Sequence, residues 1–519
     1  MRMRPGFAPV PACCATRACC AKRCPWFRMI AVVRQGSVPG YPNNVLFNSY
    51  VFLLFMAVVL PAWHVLPRRY RNGLLLAASY VFYAYWDWRF VFLLLASTLI
   101  DYHVAGAMHR QPVRSRRKLL LLISLVANLG ILGFFKYFNF FVDSFARIGE
   151  VFGARPDALH LHVILPVGIS FYTFQTLSYT IDVYRGRLEP SRSLRDFALY
   201  VAFFPQLVAG PIERAVNLLP QISRTPEPSR EDVRAGLVLI TTGMFKKVLV
   251  GDTCGRFADQ VFAQPHVYSS PFLLAALFLF SIQIYADFSG YSSIARGTAR
   301  LFGIHLMVNF EQPYLSANIT EFWRRWHISL SSWLRDYLYI PLGGNRKGSR
   351  RTLINLFATM LLGGLWHGAG WNFVFWGGLH GTYLAAHKKR LGSRKAPYGF
   401  RGGTLADVLK FIAGVVATNI LVLMSWLFFR AHDVQTTRYF ITHIVSWRSA
   451  PFAGRVLEMC IGYGVTVLVL DLLEYCTGTH EYLLRLARPA RIGFVAAAWT
   501  GVLLYMFSSR SMPFIYFQF

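Results

Sequence analysis

The chain is expected to fold as an all-α polytopic membrane protein, and three observations carry that reading. First, 55% of its 519 residues are hydrophobic and 16% aromatic, with a mean hydropathy of +0.39; soluble domains of this length are rarely so apolar. Second, apolar windows of 18 or more residues recur, each long enough for a helix to cross the ~30 Å hydrocarbon core of a bilayer. Third, the formal charge of +30 is spread over short loops between the apolar windows. That is the pattern which orients membrane proteins, with positive loops on the cytoplasmic side. It is not the concentrated basic patch of a nucleic-acid binder, so the bilayer, and no nucleic acid, is the expected partner.

Residues 1–44 stand apart. They hold seven Lys/Arg and no acid, together with Cys13, Cys14, Cys19, Cys20 and Cys24. Cysteine-rich tracts can bind zinc, but the stretch lacks the apolar core of a signal peptide. It is expected to be a non-native or disordered leader produced by a misassigned start, with Val45 as the first residue if its codon is GTG. The remainder, 45–519, is expected to be a single membrane domain.

Apolar spans follow at 46–66, 72–87, 90–108, 119–141, 163–184, 236–262, 271–301, 352–366, 370–387, 404–429, 455–475 and 491–509. The loops between the early spans alternate in charge. Arg68-Arg69-Tyr70-Arg71 is basic and Asp87-Trp88-Arg89 nearly neutral; Arg110–Lys118 has five Lys/Arg, whereas 142–162 has two arginines against three acids. Odd-numbered loops are therefore expected in the cytoplasm and the mature N-terminus outside.

Two segments fit neither span nor loop. Phe203–Pro211 is apolar but holds two prolines and a glycine, which interrupt helices, and reads as re-entrant. Glu321–Ile340 reads as one amphipathic helix. Phe322, Trp326, Leu330, Trp333 and Tyr337 recur at helical spacing on one face, with Arg324, Arg325, Arg335 and Asp336 placed elsewhere. A central arginine costs about 2.5–3.5 kcal/mol on insertion scales, so this helix is expected at the interface or beside a water-filled funnel.

The most telling stretch is the charge-free run Thr352–His387, 36 residues long. As one straight helix it would measure about 54 Å, too long for a single crossing. Gly363-Gly364 and Gly368/Gly370, on either side of His367, are the expected break, and broken backbone at membrane depth survives only where protein buries it or it lines a cavity. His367 is accordingly a candidate general base, since neutral imidazole can take a proton from a hydroxyl; the plainer alternative is a core histidine satisfied by a freed carbonyl. His327 is its candidate partner, positioning the acyl carbonyl or its carrier; alone, it reads equally as an interfacial histidine. A third metal ligand at suitable spacing is missing, so no metal is expected. Asp287 is expected to pair with Arg296 or an arginine of 324–335, and Lys136 to snorkel. Asp101 and Asp182 read as near-interface charges, and His64, His103, His380 and His387 as structural. Neither internal repeats of the transporter kind nor a Walker A, nucleotide-binding GxGxxG or GxSxG motif is present.

Six runs resemble the membrane-bound O-acyltransferase (MBOAT) family in its bacterial polysaccharide-acetylating branch. They are LPVGISFYTFQTLSYTIDVYRG (165–186), FPQLVAGPIER (204–214), YADFSGYSSIARG (285–297), FWRRWHISLSSWLRDYLYIPLGGNR (322–346), LLGGLWHGAGWNFVFWGGLHG (361–381) and PFIYFQF (513–519). The likeness extends over about 46–519. It implies that His367 occupies the position of the family's invariant catalytic histidine and His327 that of the second motif residue. It also implies a ring of about eleven to twelve transmembrane helices, with re-entrant segments, around a central funnel in the bacterial inner membrane. The implied activity passes acetyl from a cytoplasmic donor, acetyl-CoA, to a separate periplasmic partner of the SGNH-hydrolase type, for O-acetylation of an exported polysaccharide such as alginate. No bound cofactor is implied, and donor-binding residues are not assigned. D-alanyl transfer to teichoic acid and export without catalysis are the rival readings.

Overall fold

Helices account for every regular element among the described residues of the computed structural model, which cover 47–153, 161, 163–208, 210–392, 394–400, 402–431, 433–448, 453–508 and 512–515. The leader 1–44, with its cysteines and the expected start at Val45, lies outside the described residues.

The chain begins with α1 (Tyr50–Val65), α2 (Arg68–Asp87), α3 (Arg89–Arg110) and α4 (Arg114–Leu132). A π-helical turn, Gly133–Tyr137, joins α4 to α5 (Phe138–Val151). Next come α6 (Ile169–Tyr184), α7 (Leu194–Ala202), the one-turn α8 (Phe204–Leu207), α9 (Ala215–Arg224) and α10 (Arg230–Met244). A second π segment, Phe245–Gly251, leads into α11 (Asp252–Ala263), and α12 (Ser270–Arg300) follows. Then α13 (Ile319–Arg325) and α14 (Ile328–Leu334) are followed by a third π turn, Arg335–Tyr339. The C-terminal part holds α15 (Gly348–His367), α16 (Trp371–Leu391), α17 (Leu405–Arg430), α18 (Val434–Val445), α19 (Ala453–Thr477) and α20 (Arg488–Ser508).

Among the described residues six helical stretches are long and apolar enough to cross a membrane: α3, α4 through α5, α12, α17, α19 and α20. The other expected spans are helical as well, but shorter, more polar or broken by a π turn. Burial is inverted relative to a soluble bundle. α17 and α19 expose Ile412, Val416, Ile420, Leu457, Ile461 and Val465, as helices facing lipid do. α12 is the inner axis, buried without interruption from Leu279 to Ala299.

Several charges inside the bundle form ion pairs. Lys247, on the second π segment, lies 2.5 Å from Asp252 and 2.6 Å from Asp287. Asp287 therefore pairs with this lysine and with neither expected arginine, because α12 turns it toward the π segment. Its other oxygen accepts a hydrogen bond from the Ile515 backbone at 2.7 Å, and Lys247 also donates to the Met512 carbonyl. The C-terminal tail is thus tied into the core. Phe514 packs on Phe288 and Tyr291, with ring centroids 5.4 and 4.6 Å apart.

Gly363-Gly364 does not break α15, which runs through both residues. A Cβ at Gly364 would stand 2.2 Å from the Phe373 carbonyl oxygen and 2.8 Å from the Gly377 Cα. Gly364, with Gly377 opposite it, lets α15 and α16 pack backbone to backbone, as small residues do between membrane helices, whereas Gly363 faces Leu334. The break lies wholly at 368–370.

Candidate active site

α15 ends at His367 because Gly368 leaves the helix with φ −161° and ψ 155°. Phe373 fills the space where its side chain would be, with Cε2 2.1 Å from an ideal Cβ. The last carbonyls of any helix lack intrahelical donors, and at this depth protein must supply them. Two neighbours on the first π turn do so. Lys136 Nζ donates to the Trp366 carbonyl at 2.6 Å and the His367 carbonyl at 3.3 Å, while Tyr137 Oη donates to the Leu365 carbonyl at 2.8 Å. Lys136 therefore does not snorkel. A lone lysine in an apolar span was the only sequence signal for this, and it carried no hint of the partner.

The expected amphipathic helix 321–340 is interrupted at His327, which adopts a left-handed conformation, φ 42° and ψ 56°, at the start of α14. Few residues other than glycine tolerate this region, histidine among the better ones. The strained turn is held by Asn309, whose carbonyl accepts from the Ile328 backbone at 2.9 Å and whose side chain accepts from Ser329 N at 3.3 Å. The predicted face survives the break, since Phe322, Trp326, Leu330, Trp333 and Tyr337 are all buried. Arg325, expected off that face, is buried too and forms an ion pair with Glu321 at 2.8 Å. Beyond α14, Tyr337 donates to Asp182 at 2.5 Å and Asp336 pairs with Arg214 at 2.6 Å. Two charges in separate sequence motifs thereby fix the segment that carries His327.

The break and the turn bring the two candidate histidines together. Their ring centroids lie 6.4 Å apart, and both are buried, 0% exposed for His327 and 4% for His367. Aromatic rings surround them. Trp366 lies 6.0 Å from His327 and 5.1 Å from His367; Trp376 and Phe429 meet His367 edge-on at 5.1 and 5.5 Å. Trp376 also touches His380 at 4.7 Å, but His380 is satisfied structurally: Trp323 Nε1 donates to its Nδ1 at 3.2 Å and its Nε2 meets Ser425 Oγ at 2.9 Å. The structural reading of His380 therefore has a geometric basis.

A cavity of about 1140 Å³ opens against the other side of the break. Gly370, Trp371 and Asn372 line it together with Lys136, Asn139, Asp143, Arg147 and Asp433, above an apolar wall that includes Phe357, Leu361, Phe375 and Phe428. Among the described residues, no group of three or more His, Cys, Asp or Glu side chains is placed to hold a metal ion.

Fold and site together define a multi-pass helical membrane protein with a histidine pair enclosed in its core. Residues 190–390 match the model of the membrane-bound O-acyltransferase family, MBOAT. The chain is 40% identical over 499 residues, 92% of its length and 100% of the relative's, to a Pseudomonas putida protein named "Probable alginate O-acetylase AlgI". It is 44% identical to the Pseudomonas aeruginosa protein of that name, over 78% of this chain and 74% of the relative. A Helicobacter pylori protein named "Peptidoglycan O-acetyltransferase" is 32% identical over 92% of this chain and 98% of its own. The chain belongs to the membrane-bound O-acyltransferase family, and it is an O-acyltransferase.

Proposed function

We propose that this chain is the membrane subunit that moves an acetyl group from cytoplasmic acetyl-CoA across the bacterial inner membrane for O-acetylation of an exported polysaccharide such as alginate. A periplasmic SGNH-type protein is its proposed partner. About eleven to twelve helices ringing a central funnel would bring donor and acceptor to one point, with the basic loops at 110–118 and 346–351 facing the donor side. The relatives named for alginate and peptidoglycan acetylation support the acetyl group and the polymer class.

The observation that carries the reading is the enclosed pair His327 and His367, 6.4 Å apart between ring centroids. His367 acts as general base, taking the proton of the acceptor hydroxyl as its oxygen attacks the thioester carbonyl. The tetrahedral intermediate collapses with cleavage of the C–S bond, and the proton passes to the departing thiolate. Ester and free thiol are the products, so atoms and charge balance. His327 orients the carbonyl or the hydroxyl. The aromatic enclosure excludes water, which would otherwise hydrolyse the thioester.

The test is His367→Ala expressed as the only copy. The expected result is loss of polymer acetylation from a protein that inserts at wild-type level, with radiolabelled acetyl no longer leaving acetyl-CoA. Wild-type polymer acetylation in that strain overturns the assignment.

A further inference from the structure

The geometry points to Lys136 and Tyr137 as positioning residues for His367, a paired clamp that holds the end of α15 and thereby the imidazole it carries. The inference rests on the proposed role of His367 and deepens it. Both act through the backbone on which the ring is mounted.

Three consecutive carbonyls, those of Leu365, Trp366 and His367, are bound by two consecutive side chains. In a regular α-helix, successive side chains diverge by about 100° and do not share a target. Here both lie on the π turn Gly133–Tyr137, where the helix is locally widened, and such bulges are frequent at functional sites. The cation also suits its place, because a helix C-terminus carries partial negative charge. Lys136 is fixed from a third direction by Ser170 Oγ at 3.2 Å, next to the start of α6. Beyond the break, α5 holds the other rim: Trp371 Nε1 donates to Ser144 Oγ at 3.2 Å, and Phe140 packs on Trp371 at 5.5 Å. The π turn, α5 and α6 therefore grip both sides of the glycine break, whose freedom would otherwise pass directly to His367. Reaction geometry is sensitive to such freedom, since a misplacement of about 1 Å can cost on the order of a hundredfold in rate.

The test uses membranes containing the full chain as sole copy, with radiolabelled acetyl-CoA as probe and initial rates measured against its concentration. Lys136→Met is expected to lower the maximal rate about ten- to hundredfold with the half-saturating acetyl-CoA concentration unchanged. Lys136→Arg, which keeps charge and donors, should recover most of the loss. Tyr137→Phe removes one hydrogen bond while keeping the ring, and should lower the rate about fivefold, as loss of a single hydrogen bond does. It carries the test if Lys136→Met fails to give a monodisperse protein. Amide exchange in peptides covering 366–372 should accelerate in both variants. A wild-type rate in Tyr137→Phe together with a wild-type rate or a misfolded protein in Lys136→Met overturns the proposal; so does a raised half-saturating concentration at unchanged maximal rate, which would make Lys136 a donor contact. His367→Ala is run alongside. Activity there defeats the reading of His367, whereas an inactive His367→Ala beside fully active clamp variants defeats only the clamp.

Discussion

Phe288 meets the His327 imidazole edge to face, with ring centroids 4.6 Å apart and planes at 78°. It is also the ring on which Phe514 of the C-terminal tail rests. The imidazole is thus wedged between α12 and Trp366, at the left-handed residue that starts α14. Backbone conformation and side-chain chemistry can be separated at this position. His327→Asn keeps a residue that tolerates the left-handed region, so it should leave the melting temperature near wild type while lowering acetyl transfer. His327→Val should destabilise by a further 1–3 kcal/mol or so, because a β-branched residue is strained there. Thermal unfolding monitored by size exclusion, with transfer rates per folded protein, checks both.

The Gly364 backbone is in contact with α16, and a Cβ would stand 2.2 Å from Phe373 O. Gly364→Ala must push the two helices apart. A loss of about 1–3 kcal/mol is expected from overpacking. Since His367 lies three residues on, transfer should fall more steeply than stability. A variant that melts normally and transfers at the wild-type rate would contradict the backbone-to-backbone packing.

Lys247 has two carboxylate partners and is 1% exposed. Lys247→Met leaves Asp252 and Asp287 facing each other without a cation in the core. Removing one partner of a buried pair costs about 3–5 kcal/mol, so the variant should express poorly or unfold at markedly lower temperature. Combining it with Asp252→Asn should restore part of the loss, whereas two independent effects would add. A double-mutant cycle on thermal stability distinguishes them.

His380 gives the opposite outcome to His367. Replacing it with leucine strands Trp323 Nε1, whereas Ser425 Oγ keeps its bond to the Val422 carbonyl at 2.7 Å. A stranded polar group costs about 1–3 kcal/mol. Stability should fall while the transfer rate per folded molecule stays near wild type. A loss of transfer at full stability would move His380 into the reacting group of residues.

Much of this was legible beforehand. The long apolar windows and the amphipathic face from Phe322 to Tyr337 follow from period and composition. Glycines were harder to assign. Gly363-Gly364 and Gly368/Gly370 look alike in a sequence, yet Gly364 admits a neighbouring helix and Gly368 ends one; which occurs depends on Phe373 and Gly377, residues on another element. The buried charges were misplaced for the same kind of reason. Lys136 and Asp287 find partners 230 and 40 positions away, in Trp366 and Lys247, and no local pattern encodes such a pairing.

Sequence alone determined the solvent, the helical class and the two candidate imidazoles, because hydropathy and residue type are local properties. Tertiary structure decided that those rings sit side by side, that a strained turn and a glycine break present them, and that a lysine–tyrosine pair secures the break. These outcomes depend on which backbone donors and acceptors a bilayer leaves without water, and on which distant side chains the fold brings to satisfy them.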